Sequence, residues 1–446
     1  TTFYDSAQLK FNGTVVKPTQ NTGNFITLIG SIGEGFSSSA LVDNGGAIFD
    51  TDGKNIGIGV GLKAAGTGGL TKRGNGTLTL TATNHSYTGA TTIEGGCLTV
   101  SGENATTGAV PIVNASFETY DAPTLTPDGT ANAYRIAPTG AGWIFTGGAG
   151  ITTSNSLFMV KNPKSDGGCA AMLYGASTLS QTVTVSVAGL YDLNFMVAKG
   201  GTNTFNNLSA KIDGNTACSY WTGTLTDTAF RTVEVKGLSL TAGTHVLLFQ
   251  TFDAAPNSTV IDRVTLTSAA GGSLPSGTAL NIAAAGASYV QSRTAQTIGS
   301  LAGVSGSIVS NSGILTVGGG NTNTTFAGVL CGPGSLVKTG TGTLTLGGAN
   351  TYTGATTVVA GTLEIAASDT LPATTALALA TGATLKLSNA SEQTVSTLFI
   401  NGVQKYRGTW GAAGSRASMI RAQFSGTGVL RVLNGPAIPG TLFSIK

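Results

Sequence analysis

The segment Leu70-Thr-Lys-Arg-Gly-Asn-Gly-Thr-Leu-Thr-Leu-Thr-Ala-Thr-Asn-His-Ser-Tyr-Thr-Gly-Ala-Thr-Thr-Ile93 returns far downstream. There it reads Leu336-Val-Lys-Thr-Gly-Thr-Gly-Thr-Leu-Thr-Leu-Gly-Gly-Ala-Asn-Thr-Tyr-Thr-Gly-Ala-Thr-Thr-Val358. A long Gly/Thr-rich segment of alternating polar and apolar residues, used twice, predicts stacked β-strands. Each copy carries an apolar face that it cannot bury alone, so it needs neighbours above and below. Such a repeat points to a scaffold rather than to a reaction centre.

Composition agrees with close stacking. Only 10% of the 446 residues are charged and 66 are glycine, against about a quarter and about 7% in ordinary domains. An apolar share of 41% excludes a disordered chain, which is poor in apolar residues and rich in charge. The length allows two or three domains with a substantial core. No run approaches about 18 consecutive apolar residues, so no membrane-spanning segment is expected. The chain opens at Thr1 without a Met, as an exported, processed product does. Its net charge of +3 is too small and dispersed for a nucleic-acid partner. That charge is unevenly placed: residues 1–263 carry 14 Lys/Arg against 17 Asp/Glu, and residues 264–446 carry 9 against 3. An acidic start and a basic end favour head-to-tail contact between copies. Chance in a charge-poor chain is the plainer reading.

Short runs such as Thr77-Leu-Thr-Leu-Thr81, Leu98-Thr-Val100, Ile314-Leu-Thr-Val317 and Leu377-Ala-Leu379 alternate with period two between Gly, Asn and Ser turns. No helical period is sustained, so the chain reads as all-β. A second correspondence maps the domains. The downstream copy continues as Gly361-Thr-Leu-Glu-Ile365, Leu371-Pro372, Ala376-Leu-Ala-Leu379 and Gln393-Thr-Val395. The upstream copy continues as Gly96-Cys-Leu-Thr-Val100 and then breaks off. Its missing half resumes as Leu274-Pro275, Ala279-Leu-Asn-Ile282 and Gln296-Thr-Ile298. Residues 106–270 therefore read as a domain inserted between two rungs of one solenoid, which occupies 1–105 and 271–433, with 434–446 as a C-terminal linker and strand. Loop tips accept such insertions. The insert has longer strands, among them Gln181–Val187, Tyr191–Val197 and Val260–Leu266, and turn signals that fit an antiparallel β-sandwich.

Gly-Thr-Leu-Thr-Leu followed by Asn-Thr-Tyr-Thr-Gly-Ala-Thr-Thr-Val resembles the autotransporter-associated β-strand repeat of bacterial surface and secreted passenger regions. Asp43-Asn-Gly-Gly-Ala-Ile-Phe-Asp-Thr-Asp-Gly53 resembles the rung that commonly precedes it. The resemblance covers roughly 40–105 and 271–433. It implies a right-handed parallel β-helix (solenoid) and an extracellular or cell-surface location. Unlike the usual autotransporter, this sequence ends at Lys446 without a membrane barrel. More loosely, Asn114-Ala-Ser-Phe-Glu118, Gly142-Trp143, Gly189-Leu-Tyr191, Asp213-Gly214, Ala242-Gly-Thr-His245 and Ile261-Asp-Arg-Val264 resemble jelly-roll domains related to carbohydrate-binding modules. That likeness implies glycan binding and, in some members, a structural calcium ion.

Asp43, Asp50 and Asp52 are close together but sit among Gly and Asn, where Asx-turns are the usual use of such residues. His85 and His245 lie in unrelated contexts, and His85, in a slot that reads Thr in the other copy, is expected to point outward. No catalytic triad, metal spacing or phosphate loop can be assembled, and the chain is read as a non-enzyme. Asn84/Asn350 and Tyr87/Tyr352 are read as rung-stabilising residues. Tyr174, Tyr220 and Trp221 are the candidate glycan contacts, because sugar rings stack on exposed aromatic faces; Trp143 is read as sandwich core. Cys169 and Cys218 share the insert and are candidates for a disulfide in an exported chain, the alternative being two lone thiols.

The ends complete the expectation. An open solenoid edge must be capped or paired. Thr441-Leu-Phe-Ser-Ile445 alternates like a strand behind a proline-stiffened linker. It can cap its own solenoid or augment the next subunit, with Leu442, Phe443 and Ile445 meeting Phe3 and Tyr4. The expected function is a β-helical subunit of an extracellular fibre or surface layer, with itself as partner. The alternative is an adhesin that binds polysaccharide through the insert.

Overall fold

The computed structural model describes residues 9–26, 39–82, 84–100, 109–119, 126–127, 133–139, 142–153, 156, 168–200, 206–220, 229–268, 271–388 and 392–436. Among them every regular element is a strand, and no helix is long and apolar enough to cross a membrane. The chain forms two compact units. One comprises 10–25, 40–102 and 271–446; the other comprises 103–270 with the short pieces 1–9 and 26–39.

The first unit is a parallel β-solenoid of about 14 turns. One eleven-stranded sheet, here the long face, runs from Val15–Val16 to Phe424–Gly426. A second face runs in register from Thr22–Ile26 to Val329–Cys331. The third is made by Lys10–Phe11, Ser39–Val42 and Gly61–Ala64 in the early turns, and by strands from Ala295–Ile298 to Val403–Gln404 in the late ones. Along the chain the order is third, long, second in the early turns and long, second, third after 271. These are the same cycle. Alternation explains the faces: Leu78, Leu80, Leu98 and Val100 point inward and are fully buried, while Thr77, Thr79 and Thr99 are partly exposed. Each buried Leu contributes about 2 kcal/mol.

The solenoid is continuous across the insert. Thr91-Thr-Ile93 pairs in parallel with Leu280-Asn-Ile282, and Cys97–Val100 with Ser288–Gln291. The two copies of the repeat, however, sit on different faces. In the upstream copy, Leu70–Arg73 lies on the long face and Thr77–Leu80 on the second. In the downstream copy, Ser335–Lys338 lies on the third face and Thr343–Leu346 on the long one. The same unit is thus displaced by one face around the axis.

The far end closes itself. Val403–Gln404 turns back antiparallel on Thr397–Ile400, and Gly408–Gly411 runs antiparallel to Val429–Val432. Trp410 is 1% exposed beneath this cap, donates Nε1–H to the Tyr406 carbonyl at 3.0 Å, and is covered by the Arg421 guanidinium 5.5 Å from its ring. Reversing strand direction and shortening the edges to two to four residues blunts the end.

The second unit is an antiparallel sandwich. Cys169–Val185 is its spine, flanked by Ile144–Thr153 and Gly243–Thr251, with Leu208–Ile212 and Asn215–Tyr220 beyond. Gly189–Lys199, Arg231–Leu240 and Ser258–Ser268 form the opposing layer. Its core is mainly aliphatic with rings set into it: Phe195 and Phe249 meet edge to face at 4.9 Å, and Trp143 packs on Phe117 at 5.3 Å.

Candidate functional site

The buried polar groups of the solenoid form a repeated set that holds backbone. Lys72 and Lys338 come at the inward phase of their strands and are 0% and 1% exposed. Lys72 Nζ donates to the carbonyls of Arg73, Gly74 and Gly95 at 2.8, 2.7 and 3.0 Å. Lys338 Nζ does the same to Thr339, Gly340 and Ala360 at 2.5, 3.0 and 3.2 Å. Each lysine ties its own turn to the next rung. Burial pushes both pKa values down, that of Lys72 to about 8. Sequence reasoning passed over this clamp. The signal was available, since Leu70 points in, Thr71 out and Lys72 in.

A hydroxyl relay follows. Tyr87 and Tyr352 bond Thr91 and Thr356 at 2.6 and 2.5 Å. Those threonines meet Thr278 and Thr375, which donate to the Gly89 and Gly354 carbonyls at 3.0 and 2.8 Å. Gln296 and Gln393 grip both backbone groups of the Leu before Pro in their copies: the amides of Leu274 and Leu371 donate to Oε1, and Nε2 donates back to their carbonyls. The second correspondence read from the sequence is therefore a structural equivalence, made across the insert.

One expectation is corrected. His85 is not outward at a turn but 6% exposed, and its Nδ1 accepts from the Leu62 amide at 3.0 Å. In the downstream copy Asn350 Oδ1 accepts from the Leu330 amide at 2.7 Å. His85, not Asn84, is the counterpart of Asn350, and Asn84 is exposed. Burial, with a smaller effect of Lys63, lowers the His85 pKa to about 3.

The nominated acids are turn and ion-pair residues. Asp43 bonds Lys10 at 2.7 Å and Asp50 bonds Lys17 at 3.1 Å. Asp43 also accepts from the Asn44 amide, and Asp50 from that of Asp52. Asp52 itself takes a left-handed backbone with φ 48°, which suits Asp in a turn. Lys10 and Lys17 stand on the first rung, which therefore gives the acidic start no surplus there.

In the insert, Trp143 is core, 5% exposed with Nε1–H donated to the Asn114 carbonyl at 3.2 Å. Tyr174 is half-buried on the spine strand, opposite Gly148 and Ser258. The backbone of Tyr220 pairs with Leu208. Its side chain, and Trp221, Phe3, Tyr4, Leu442, Phe443 and Ile445, lie outside the described residues. The Cys169–Cys218 pairing is corrected by register. Cys218 lies opposite Ala210, Ala210 opposite Phe249, and Phe249 opposite Leu179. Leu179 is ten positions from Cys169 on the same strand, roughly 30 Å of strand, far beyond the reach of a disulfide. His245 is held at both ring nitrogens. Its Nδ1 lies 2.6 Å from Asp213 Oδ2, and its Nε2 2.9 Å from the Thr241 carbonyl. The bond to Asp213 raises its pKa. Among the described residues no group of three or more His, Cys, Asp or Glu converges as a metal site.

The passenger-associated-transport-repeat family model matches residues 70–100 and 336–365, the two segments that carry the lysine clamp and the tyrosine relay. No curated protein matches the chain. Among solved structures, a Stig cyclase from Fischerella sp. TAU is 19% identical, covering 36% of this chain and 98% of its own at a TM-score of 0.29. A family 35 carbohydrate-binding module from Clostridium thermocellum is 18% identical, covering 31% and 100% at 0.22. The CBM22-1 xylan-binding domain from Paenibacillus barcinonensis Xyn10C is 14% identical, covering 29% and 88% at 0.22. At such TM-scores these likenesses carry no argument. Both matched segments stand in one continuous parallel solenoid, so the chain is a β-helical protein that carries two passenger-associated-transport repeats and is interrupted by an antiparallel sandwich.

Proposed function

We propose that this chain is an exported structural subunit that joins copies of itself head to tail into an extracellular fibre or surface layer. The observation that carries the reading is the inequality of the two solenoid ends. Among the described residues the long and third faces begin on the parallel strands Val15–Val16 and Lys10–Phe11, with Val15 41% exposed. The other end is capped by 403–432, so rung-on-rung stacking of whole solenoids is blocked on the late second and third faces. Joining then falls to a strand contributed by one copy to another, for which Thr441–Ile445 has the alternation and Pro436 and Pro439 the spacer. The passenger-type repeat supports export to the surface. The test compares the full chain with one lacking 437–446 by sedimentation and electron microscopy. Fibres or large assemblies are expected from the first and monomers from the second. A full chain that stays monomeric at high concentration overturns the reading.

A second reading, glycan binding by the insert, has its own observation. Phe252 is 45% exposed. Lys211 Nζ lies 5.8 Å from its ring centroid and donates to Gln250 Oε1 at 2.9 Å. An aromatic face flanked by amide and ammonium suits a sugar ring. Binding on a glycan array that falls at least tenfold in Phe252→Ala or Trp221→Ala supports this reading; no binding by the intact chain ends it.

A further inference from the structure

Beside the insertion point the solenoid interior changes character. Tyr289 and Gln291, both 0% exposed, stand where the downstream copy has Leu385 and Leu387, and His85 stands where it has Asn350. Three of their polar atoms have no partner: His85 Nε2, Tyr289 Oη and Gln291 Oε1. Tyr289 and Gln291 share the strand Ser288–Gln291, and His85 follows Thr77–Leu80, two strands away on the same face. Tyr289 lies in register between Leu98 and Val309. The His85 ring centroid is 6.4 Å from that of Tyr87; burial, and then Tyr87, raise the Tyr289 pKa, and Arg293 lowers it by less. Asn350 differs in having a use for its far side, donating Nδ2–H to the Thr370 carbonyl at 2.7 Å.

The chemistry of the three atoms selects an occupant. Because His85 Nδ1 accepts from Leu62, the neutral ring carries its proton on Nε2, a donor. Gln291 spends Nε2 on the Arg293 and Ile314 carbonyls, which leaves Oε1 as an acceptor. The Tyr289 hydroxyl is both. An anion would meet the Gln291 oxygen, and a cation the His85 N–H. A molecule that donates and accepts satisfies all three. We propose that ordered water molecules occupy the solenoid interior between His85, Tyr289 and Gln291, forming a hydrated polar core confined to the rungs next to the insert.

Two measurements test this. A crystal structure of the full chain should show ordered water density within about 3 Å of the three atoms, and Tyr289→Phe should lower the melting temperature of the solenoid by roughly 2–4 °C. The sign of that shift is diagnostic, because Phe takes a bond from a water if water is there and removes an unsatisfied hydroxyl if it is not. An unchanged or raised melting temperature overturns the proposal, as does an interior without density. Anomalous signal at the site in crystals grown with bromide would show an anion instead and overturn it too.

Discussion

Lys338→Met is expected to lower the unfolding free energy of the solenoid by about 3 kcal/mol or more. Methionine matches lysine in length and fills the same space, so the loss is not a cavity effect. What goes is the ammonium that serves Thr339, Gly340 and Ala360, and each buried carbonyl left bare costs about 1–3 kcal/mol. Urea unfolding followed by far-UV circular dichroism measures the change. A midpoint shift worth less than about 1 kcal/mol would mean that water reaches these carbonyls and that the clamp is dispensable. Lys72→Met should behave alike, because its three acceptors are the equivalent ones.

The second large effect is of pH, and the two histidines give opposite signs. His85 is held neutral, its folded pKa of about 3 lying below the unfolded value near 6.5. Between those values the unfolded chain binds a proton that the folded one refuses, so stability falls as pH drops. By pH 4.5 the loss amounts to about 3 kcal/mol. His85→Asn places the downstream residue in the same slot, where Oδ1 can take the Leu62 amide, and should remove this part of the acid sensitivity. The quantity to measure is the difference between the two proteins at pH 7 and at pH 4.5; equal acid losses would refute the assignment. His245 runs the other way. Its pKa is raised by Asp213 first and then by the Thr241 carbonyl. Its contribution is full below 6.5 and is lost as pH rises through the raised value. Acid therefore weakens the solenoid through His85, while mild alkali weakens the insert through His245.

Much of the fold was legible in the sequence because it depends on local rules. Alternation placed Leu78, Leu80, Leu344 and Leu346 inside, and the Leu-Pro and Gln-Thr correspondence joined Leu274 to Leu371 and Gln296 to Gln393 across the insert. The polar set was less legible. Asn84 was matched to Asn350 because the letters agree, whereas the structure matches acceptor to amide, and His85 Nδ1 is the atom that meets Leu62. The lysines were overlooked because a charged residue reads as surface, although their phase in the strand said otherwise. The cysteine pairing could not be read at all, since two residues in one domain are near or far only through sheet register.

The sequence by itself determined the unit: two strands, a clamped turn, a tyrosine loop and two more strands, all set by alternation, glycine turns and the spacing of Lys, Tyr and Thr. It also determined that this unit continues past the insert. Only the tertiary structure decided which faces each copy occupies. The upstream loop lies against Leu62 on the third face and the downstream loop against Leu330 on the second. The unit's hydrogen bonds run within itself and to whichever rung lies beneath, so it is satisfied on any face. Its position around the axis is the accumulated result of every corner before it, which no local stretch of sequence records.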